Sequence, residues 1–116
     1  MFDYFPLTAS EFDGPVLVTV EYRIDPADAD AFVAVMRESR HSWIASGLLS
    51  WELFHDTAEP ERYNEHLVDD SWVEYVRRHE RVSTSYVALR ERKLAFHRGP
   101  APPAVARYLA RHVGHR

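Results

Sequence analysis

The chain has 116 residues, of which 46% are apolar and 28% are charged. These values are ordinary for one globular domain and argue against extensive disorder. The net charge of −4 argues against nucleic-acid binding, and the absence of cysteine excludes disulfides and thiolate chemistry.

The ends of the chain differ from its centre. Residues 1–13 mix aromatic and acidic side chains around Pro6, and we expect them to form an arm or linker. We expect residues 14–113 to form the domain and residues 114–116 a short tail. Apolar runs are far shorter than the roughly 20 residues that cross a membrane, and no signal segment opens the chain. We therefore expect a cytoplasmic chain without membrane insertion.

The first strand and helix are predicted by periodicity. Apolar and polar residues alternate over residues 16–24, which is typical of a strand with one buried face. Asp25 and Pro26 suit the start of a helix, and Gly47 suits the position after its end. The apolar stripe of this helix is predicted to contain Ala29, Phe32, Val33, Met36, Arg40, Trp43 and Ile44.

The rest of the chain predicts a hairpin, a helical region and a last strand. Residues 48–56 and 62–69 alternate around a short turn, which indicates an antiparallel pair. A helix is predicted to begin at Trp72 after Asp70-Ser71, and helical character resumes or continues over residues 86–96. Prolines after Gly99 end it, and residues 105–113 can form a strand.

This order, β-α-β-β-α-β, predicts an α+β ferredoxin-like fold. It gives a four-stranded antiparallel sheet with the helices on one face. The other face has no cover within the chain, so we expect a second copy to bury it around a two-fold axis. The expected assembly is a homodimeric α/β barrel.

Several stretches also resemble a known family. They are residues 14–26, 51–56, 60–63, 71–72, 78–81 and 97–100, with Pro102-Pro103 and the strand after it. The sequence resembles the antibiotic-biosynthesis-monooxygenase-like dimeric α/β barrel superfamily. It is most similar to the soluble C-terminal domain of transmembrane secretion effector transporters of the major-facilitator type. The chain is therefore either a free-standing relative or an excised domain.

Two polar residues on the third predicted strand are candidate catalytic groups. Asn64 and His66 lie two apart, so their side chains share one face. If that face lines a cavity, His66 can act as a general base and Asn64 can orient a carbonyl or phenol oxygen. The alternative is that both are solvated. His79, on the second helical region, is a third candidate, or it bonds a backbone carbonyl.

The candidate substrate-binding residues are mostly aromatic. Trp51 and His55 share a face of the second strand, where Trp51 can stack on a flat ligand or pack in the core. The full set of candidates is Trp51, His55, Trp72, Tyr22 and Tyr63, with Glu65 as a further polar residue.

No cofactor or metal is expected. The seven histidines form no HxH or HExxH pattern, and no cysteine assists them. The sequence also lacks a phosphate-binding glycine loop, a dinucleotide fingerprint and a nucleophile elbow.

The resemblance implies three functions that the residues do not separate, because one fold serves many activities. The first is cofactor-independent oxygenation of an aromatic or polyketide-like substrate. The second is a non-catalytic module for ligand binding or dimerisation. The third is a polyketide cyclase that uses the same pocket.

Overall fold

The computed structural model describes residues 14–81, 83–111 and 113. The expected arm (residues 1–13) and tail (114–116) lie outside this part of the chain. The elements in chain order are β1 (Val16–Arg23), α1 (Ala29–Ala45), β2 (Ser50–His55), β3 (Arg62–Asp69), α2 (Trp72–Glu80), α3 (Thr84–Leu94) and β4 (Ala104–Leu109), with a 3₁₀ turn at Pro26–Asp28 before α1.

The four strands form one antiparallel sheet in the order β2-β3-β1-β4. This order and the placement of the helices confirm the predicted α+β ferredoxin-like fold. The register sets Val18 of β1 opposite Leu67 of β3 and Arg107 of β4, so these three side chains lie on one face. We call the face that the helices cover the inner face, and its opposite the outer face.

Alternating burial along β3 shows how the two faces arise. Tyr63, Glu65, Leu67 and Asp69 are buried on the inner face, and the residues between them are only half buried. Successive side chains of a strand point to opposite faces, so one eight-residue strand supplies both surfaces. The inner-face residues of β1, from Val16 to Ile24, continue the core.

The helix ends follow the predicted capping chemistry. The Asp25 side chain accepts a hydrogen bond from the Ala27 backbone N–H at 3.0 Å and caps the 3₁₀ turn that Pro26 begins. The helix α1 itself begins at Ala29, three residues after Pro26, and Asp28 before it makes no capping side-chain hydrogen bond. Gly47 adopts a φ of 100°, a left-handed conformation that glycine reaches without a Cβ penalty. These local signals were therefore read correctly from the sequence.

The buried stripe of α1 differs from the predicted one by a rotation. Phe32, Val35, Met36 and Ser39 are buried, whereas Arg40 is exposed and Ile44 is 39% exposed. Ser39 is buried because it bonds to charged groups of β3 and α3. The spacing of apolar residues contains no information about such hydrogen bonds, so it does not predict that Ser39 is buried.

The second helical region consists of two helices. α2 ends at Glu80, and α3 begins at Thr84 after Ser83, whose hydroxyl accepts from the Tyr86 backbone N–H at 3.1 Å. β4 ends at Leu109, four residues before the predicted end of the last strand. In the described part of the chain, no helix has the length and apolarity needed to span a membrane.

Candidate functional site

A cavity of about 440 Å³ lies between the inner face of the sheet and the helices. Helices α1, α2 and α3 all contribute to its wall. Much of the wall is apolar, which suits a small organic ligand. The apolar lining consists of Val18, Val20, Leu48, Leu67, Leu94, Val105, Pro102 and Pro103.

The floor of the cavity carries a buried carboxylate, Glu65, which is 1% exposed. Tyr22 Oη donates to its Oε1 at 2.9 Å, and Trp51 Nε1 donates to its Oε2 at 2.8 Å. Lys93 Nζ lies 3.3 Å from both carboxylate oxygens and donates to Ser39 Oγ at 3.0 Å. The charge of Glu65 is thus compensated by a cation and neutral donors from β1, β2 and α3.

Burial changes the proton affinities of the groups around Glu65. Desolvation raises the pKa of the Tyr22 phenol well above its ordinary value, and the charge of Glu65 adds to this effect. Desolvation also lowers the pKa of the Lys93 ammonium, although Glu65 opposes that shift. Tyr22 is therefore a neutral donor at physiological pH, committed to Glu65.

A second buried ion pair fixes the helices at the other end of the cavity. Arg78 of α2 is 8% exposed, and its Nε and Nη2 lie 2.7 Å and 2.6 Å from Asp69 Oδ1. Its Nη1 donates to the backbone carbonyl of Ser46 at 2.8 Å, just after the end of α1. This one side chain joins α1, α2 and β3, so its role is to hold the cavity wall in place.

The basic side chains of Arg107 and His79 both contact Tyr75 at the edge of the cavity. Arg107 Nε donates to Tyr75 Oη at 2.6 Å, and the His79 ring lies 4.5 Å from the Tyr75 ring between centroids. Part of His79 stays exposed to solvent. Desolvation of its covered part lowers the pKa of His79, and the charges of Arg107 and Arg90 add to this shift. A lowered pKa keeps the imidazole neutral near pH 7, where it can accept a proton.

The structure brings three of the candidate residues to the cavity wall, Tyr22, Glu65 and His79. Trp51 lies behind the floor and touches the site through its hydrogen bond to Glu65. Trp72 packs on the Tyr75 ring at 5.0 Å. It therefore supports the residue on which Arg107 and His79 meet.

The remaining inner-face candidates lie away from the cavity wall. His55 stacks on Tyr63 with ring centroids 4.2 Å apart, and its Nε2 lies 2.8 Å from the Pro60 carbonyl. Tyr63 is buried against Phe32 at 5.3 Å. Both aromatic rings are packing groups at the hairpin end of the sheet.

Asn64 and His66 lie on the outer face, opposite the cavity. Their β3 neighbours Glu65 and Leu67 occupy the inner face, and the His66 ring contacts Phe54 at 4.7 Å. The prediction that they share a face was correct, but that face does not line this cavity. His66 is therefore not in position to act as a base inside it.

Sequence reasoning missed most of the charged cavity residues. The cavity lining includes Asp69, Arg78, Arg90, Lys93 and Arg107. The sequence pattern did not distinguish Lys93 from its charged neighbours, yet Lys93 is 2% exposed. One signal was available, since Lys93 falls four residues after the buried Leu89 on the same helix face.

No metal centre accompanies these groups in the described ranges. Across residues 14–81 and 83–111, no group of three or more His, Cys, Asp or Glu side chains is placed to hold a metal ion. The polar groups of the cavity are instead hydrogen-bond donors, two carboxylates and one imidazole.

Solved structures with the same fold include antibiotic biosynthesis monooxygenase-like proteins. A candidate antibiotic biosynthesis monooxygenase from Caulobacter crescentus CB15 matches with a TM-score of 0.72 and 20% identity, over 85% of this chain and 92% of that chain. SnoaB, a cofactor-independent oxygenase from Streptomyces nogalater, matches with a TM-score of 0.68 and 13% identity, over 84% and 93%. A candidate monooxygenase from Nitrosomonas europaea has a TM-score of 0.70 and 13% identity, over 84% and 91%. At these identities the likeness establishes the fold alone.

The family is established by sequence. The family model of the transmembrane secretion effectors matches residues 5–113, which is nearly the whole chain. The chain therefore belongs to the transmembrane secretion effector family, and the resemblance to these proteins stated above is confirmed. No curated protein sequence matches it.

Proposed function

We propose that the cavity binds an acidic aromatic molecule of the phenol or polyketide type and that the chain oxidises it with molecular oxygen without a cofactor. The observation that carries this proposal is the position of the His79 imidazole at the cavity edge, against the Tyr75 ring whose hydroxyl accepts a hydrogen bond from Arg107. The lowered pKa of His79 supports it. A neutral base next to a fixed cation can take a proton from a phenol and stabilise the resulting anion.

The charge of the cavity supports an anionic ligand. The chain carries a net charge of −4, yet four arginine or lysine side chains line the cavity against two carboxylates. Lys93 pairs with Glu65 and Arg78 pairs with Asp69. Neither Arg90 nor Arg107 forms an ion pair with a carboxylate among the described residues. These two cations are therefore available to a phenolate.

The proposed reaction needs no resident redox group, because the substrate itself supplies the electrons. His79 removes a proton from the ring CH₂ group of an anthrone-type substrate, and the resulting electron-rich anion reacts with O₂ at that carbon, which retains one hydrogen. One oxygen atom forms the new carbonyl, and the other leaves as water with the retained hydrogen and the proton that His79 returns. The protein contributes the base, the cations and an apolar wall that excludes water. The fold shared with SnoaB, described as a cofactor-independent oxygenase, agrees with this chemistry.

Oxygen uptake with anthrone as probe tests the proposal. We expect the purified chain to consume one O₂ per anthrone and to form anthraquinone and water, at a rate above that of heat-denatured protein. Release of hydrogen peroxide in equal amount would contradict the proposed step. Anthrone that binds without oxygen uptake would also contradict it.

The pH dependence follows from the lowered pKa of His79. The base accepts a proton only when it is unprotonated. We therefore expect the rate of oxygen uptake to stay constant as the pH falls to 6.5, the ordinary pKa of histidine, and to decline only at lower pH. Arg107→Gln removes one cause of the shift and should move the decline to higher pH. A rate profile of the wild-type chain that already declines at or above pH 6.5 would refute the assignment.

A second function is favoured by family membership. The match to the transmembrane secretion effector model supports a ligand-binding module without turnover. The same cavity and the same two cations serve that function. A ligand-binding module is expected to bind anthrone in calorimetry without oxygen uptake. A cyclase is expected to convert its substrate without oxygen uptake.

We also propose that a second copy of the chain covers the outer face. One row across this face runs through Val68 of β3, Leu17 of β1 and Tyr108 of β4, which are directly paired. Phe54 of β2 and Tyr108 are 50% and 55% exposed on the same face. An exposed apolar row of this kind favours burial against a second copy of the chain around a two-fold axis.

Tyr108→Glu tests the dimer. The two-fold axis would bring two new carboxylates into one interface, so we expect the dimer dissociation constant to rise by at least about 10-fold in sedimentation equilibrium. Val73→Glu is the matched control, because Val73 is 52% exposed on α2 and should leave the association unchanged. A wild-type chain that is monomeric at micromolar concentration would overturn this proposal.

A further inference from the structure

The chain between α3 and β4 forms part of the cavity wall. We call residues 97–103 the connecting segment. Much of it is exposed to solvent, and its last two residues, Pro102 and Pro103, line the cavity. Proline has no backbone N–H, so these two residues cannot donate a backbone hydrogen bond to the sheet. The segment is therefore held against the domain by its other residues.

The end of β1 provides the attachment for the connecting segment. β4 pairs with β1 only as far as Ala104 opposite Glu21, so the backbone of Arg23 extends beyond the start of β4. The Arg23 carbonyl accepts a hydrogen bond from the Arg98 backbone N–H at 2.8 Å. The Arg23 N–H donates to Nδ1 of the His97 ring at 3.0 Å. An imidazole nitrogen thus takes the place that a strand carbonyl would occupy.

The two ring nitrogens of His97 have fixed and opposite roles. A backbone N–H can only donate, so Nδ1 must accept the hydrogen bond from Arg23. Nε2 lies 3.0 Å from the Ala101 carbonyl, which can only accept, so Nε2 carries the hydrogen of the neutral ring. Gly99, with a φ of 110°, allows the segment to turn so that Ala101 reaches the ring. Only the neutral ring in this tautomer makes both bonds.

A second proton on His97 removes the bond to β1. The imidazolium carries a hydrogen on both nitrogens and has no acceptor, so its Nδ1–H would face the Arg23 N–H as donor against donor. The bond from Nε2 to the Ala101 carbonyl is compatible with both forms. Histidine is the side chain whose charge ordinarily changes between about pH 5 and about pH 8.

The charged and titratable side chains around His97 offer the imidazolium no partner. They are Tyr22, Arg23, Asp25 and Arg98. Asp25 pairs with Arg98 at 2.9 Å, and the Arg23 guanidinium pairs with Glu59 at 2.8 Å. Tyr22 presents its ring, 6.4 Å away between centroids, because its hydroxyl is bonded to Glu65. Both hydrogen bonds of His97 go to backbone atoms, and no carboxylate of the described residues forms an ion pair with its ring.

We propose that His97 is a proton-sensitive latch: its neutral imidazole holds the connecting segment against β1, and its imidazolium releases the segment and widens access to the cavity. Release displaces Pro102 and Pro103 from the cavity wall. The latch controls entry and exit, whichever molecule the cavity binds, so it is independent of the proposed reaction.

Amide hydrogen exchange at Arg23 tests the hydrogen bond itself. In NMR we expect the protection factor of this amide to fall by at least about 10-fold between about pH 7.5 and about pH 5, while amides of the β1–β3 ladder keep theirs. His97→Asn places a side-chain carbonyl oxygen near the position of Nδ1 and cannot be protonated in this range, so it should keep Arg23 protected at both pH values. His97→Phe has no acceptor and should lose the protection at both.

Thiol labelling tests whether the connecting segment controls access. The chain has no cysteine, so Val18→Cys introduces a single thiol into the cavity wall, at a position that is 9% exposed. At a constant pH of about 7.5, adding His97→Phe should raise the labelling rate with dithionitrobenzoate by at least about 10-fold, and adding His97→Asn should change it by less than about twofold. His41→Phe, on the exposed surface of α1, is the matched control and should leave the rate unchanged.

Two results would overturn the latch. One is an Arg23 amide that is equally protected at both pH values in the wild-type chain, or that loses its protection equally in His97→Asn. The other is a labelling rate that is the same with and without His97→Phe. If His97→Phe does not fold, the wild-type pH series and His97→Asn still decide. Absence of oxygen uptake with anthrone affects neither measurement.

Discussion

Replacement of His79 by glutamine is expected to lower kcat for oxygen uptake by about 100-fold to 10,000-fold, the usual contribution of a positioned general base. Glutamine keeps the approximate size and polarity of the side chain but cannot accept a proton at neutral pH. Substrate affinity should change little, because Arg90 and Arg107 remain beside the ligand. The measurement is oxygen uptake with anthrone at saturating concentration.

His66→Gln is the control for this variant. His66 lies on the outer face against Phe54, and it should retain a kcat within about twofold of wild type. If His66→Gln loses the activity and His79→Gln keeps it, the base lies on the outer face and the assignment made here is wrong. Raising the pH should not rescue His79→Gln, because glutamine has no proton to lose in this range.

Lys93→Met is expected to lower the free energy of unfolding by about 3–5 kcal/mol, because it leaves the buried carboxylate of Glu65 without its cation. Both side chains are almost fully buried, so solvent does not screen the pair. Urea titration and thermal unfolding measure the effect, and a loss of at least about 10 °C in Tm should accompany it. Methionine keeps the length of the side chain, so little of this loss should arise from an empty volume.

Two further variants separate charge from packing. Arg92→Met removes the next residue's cation, which pairs with Glu38 on the exposed surface and should cost less than about 1 kcal/mol. Adding Glu65→Gln to Lys93→Met removes the uncompensated charge and should recover part of the loss. A double variant that is less stable than Lys93→Met alone would show that the electrostatic explanation is incorrect.

The fold was predictable because its signals are local. Alternation defined β1 and β3 almost to the residue, and caps at Asp25 and Ser71 marked the starts of the helical regions. The break between α2 and α3 was left open by the sequence, although the run Ser83-Thr84-Ser85 is poor in helix formers and Ser83 caps α3. Each of these features depends on neighbours within a few positions.

The site was less predictable because it depends on contacts between distant residues. Periodicity showed that Asn64 and His66 share a face, but it did not show which face the helices cover. Glu65 has a charge typical of a solvent-facing residue, yet its partner Lys93 lies on α3 and buries it. Arg78 and Arg107 were likewise not predicted as site residues, although each forms hydrogen bonds within the folded domain.

The alternation of β3 has a consequence for how this protein can diverge. Odd-numbered positions such as Glu65 face the ligand space, and even-numbered positions such as His66 face away from it. Under the proposed function and the proposed dimer, single substitutions would therefore alter ligand preference and self-association independently. Deleting one residue within β3 would move the inner-face side chains beyond the deletion to the outer face and the outer-face side chains to the inner face. Natural relatives should therefore vary in residue type along this strand while keeping its length.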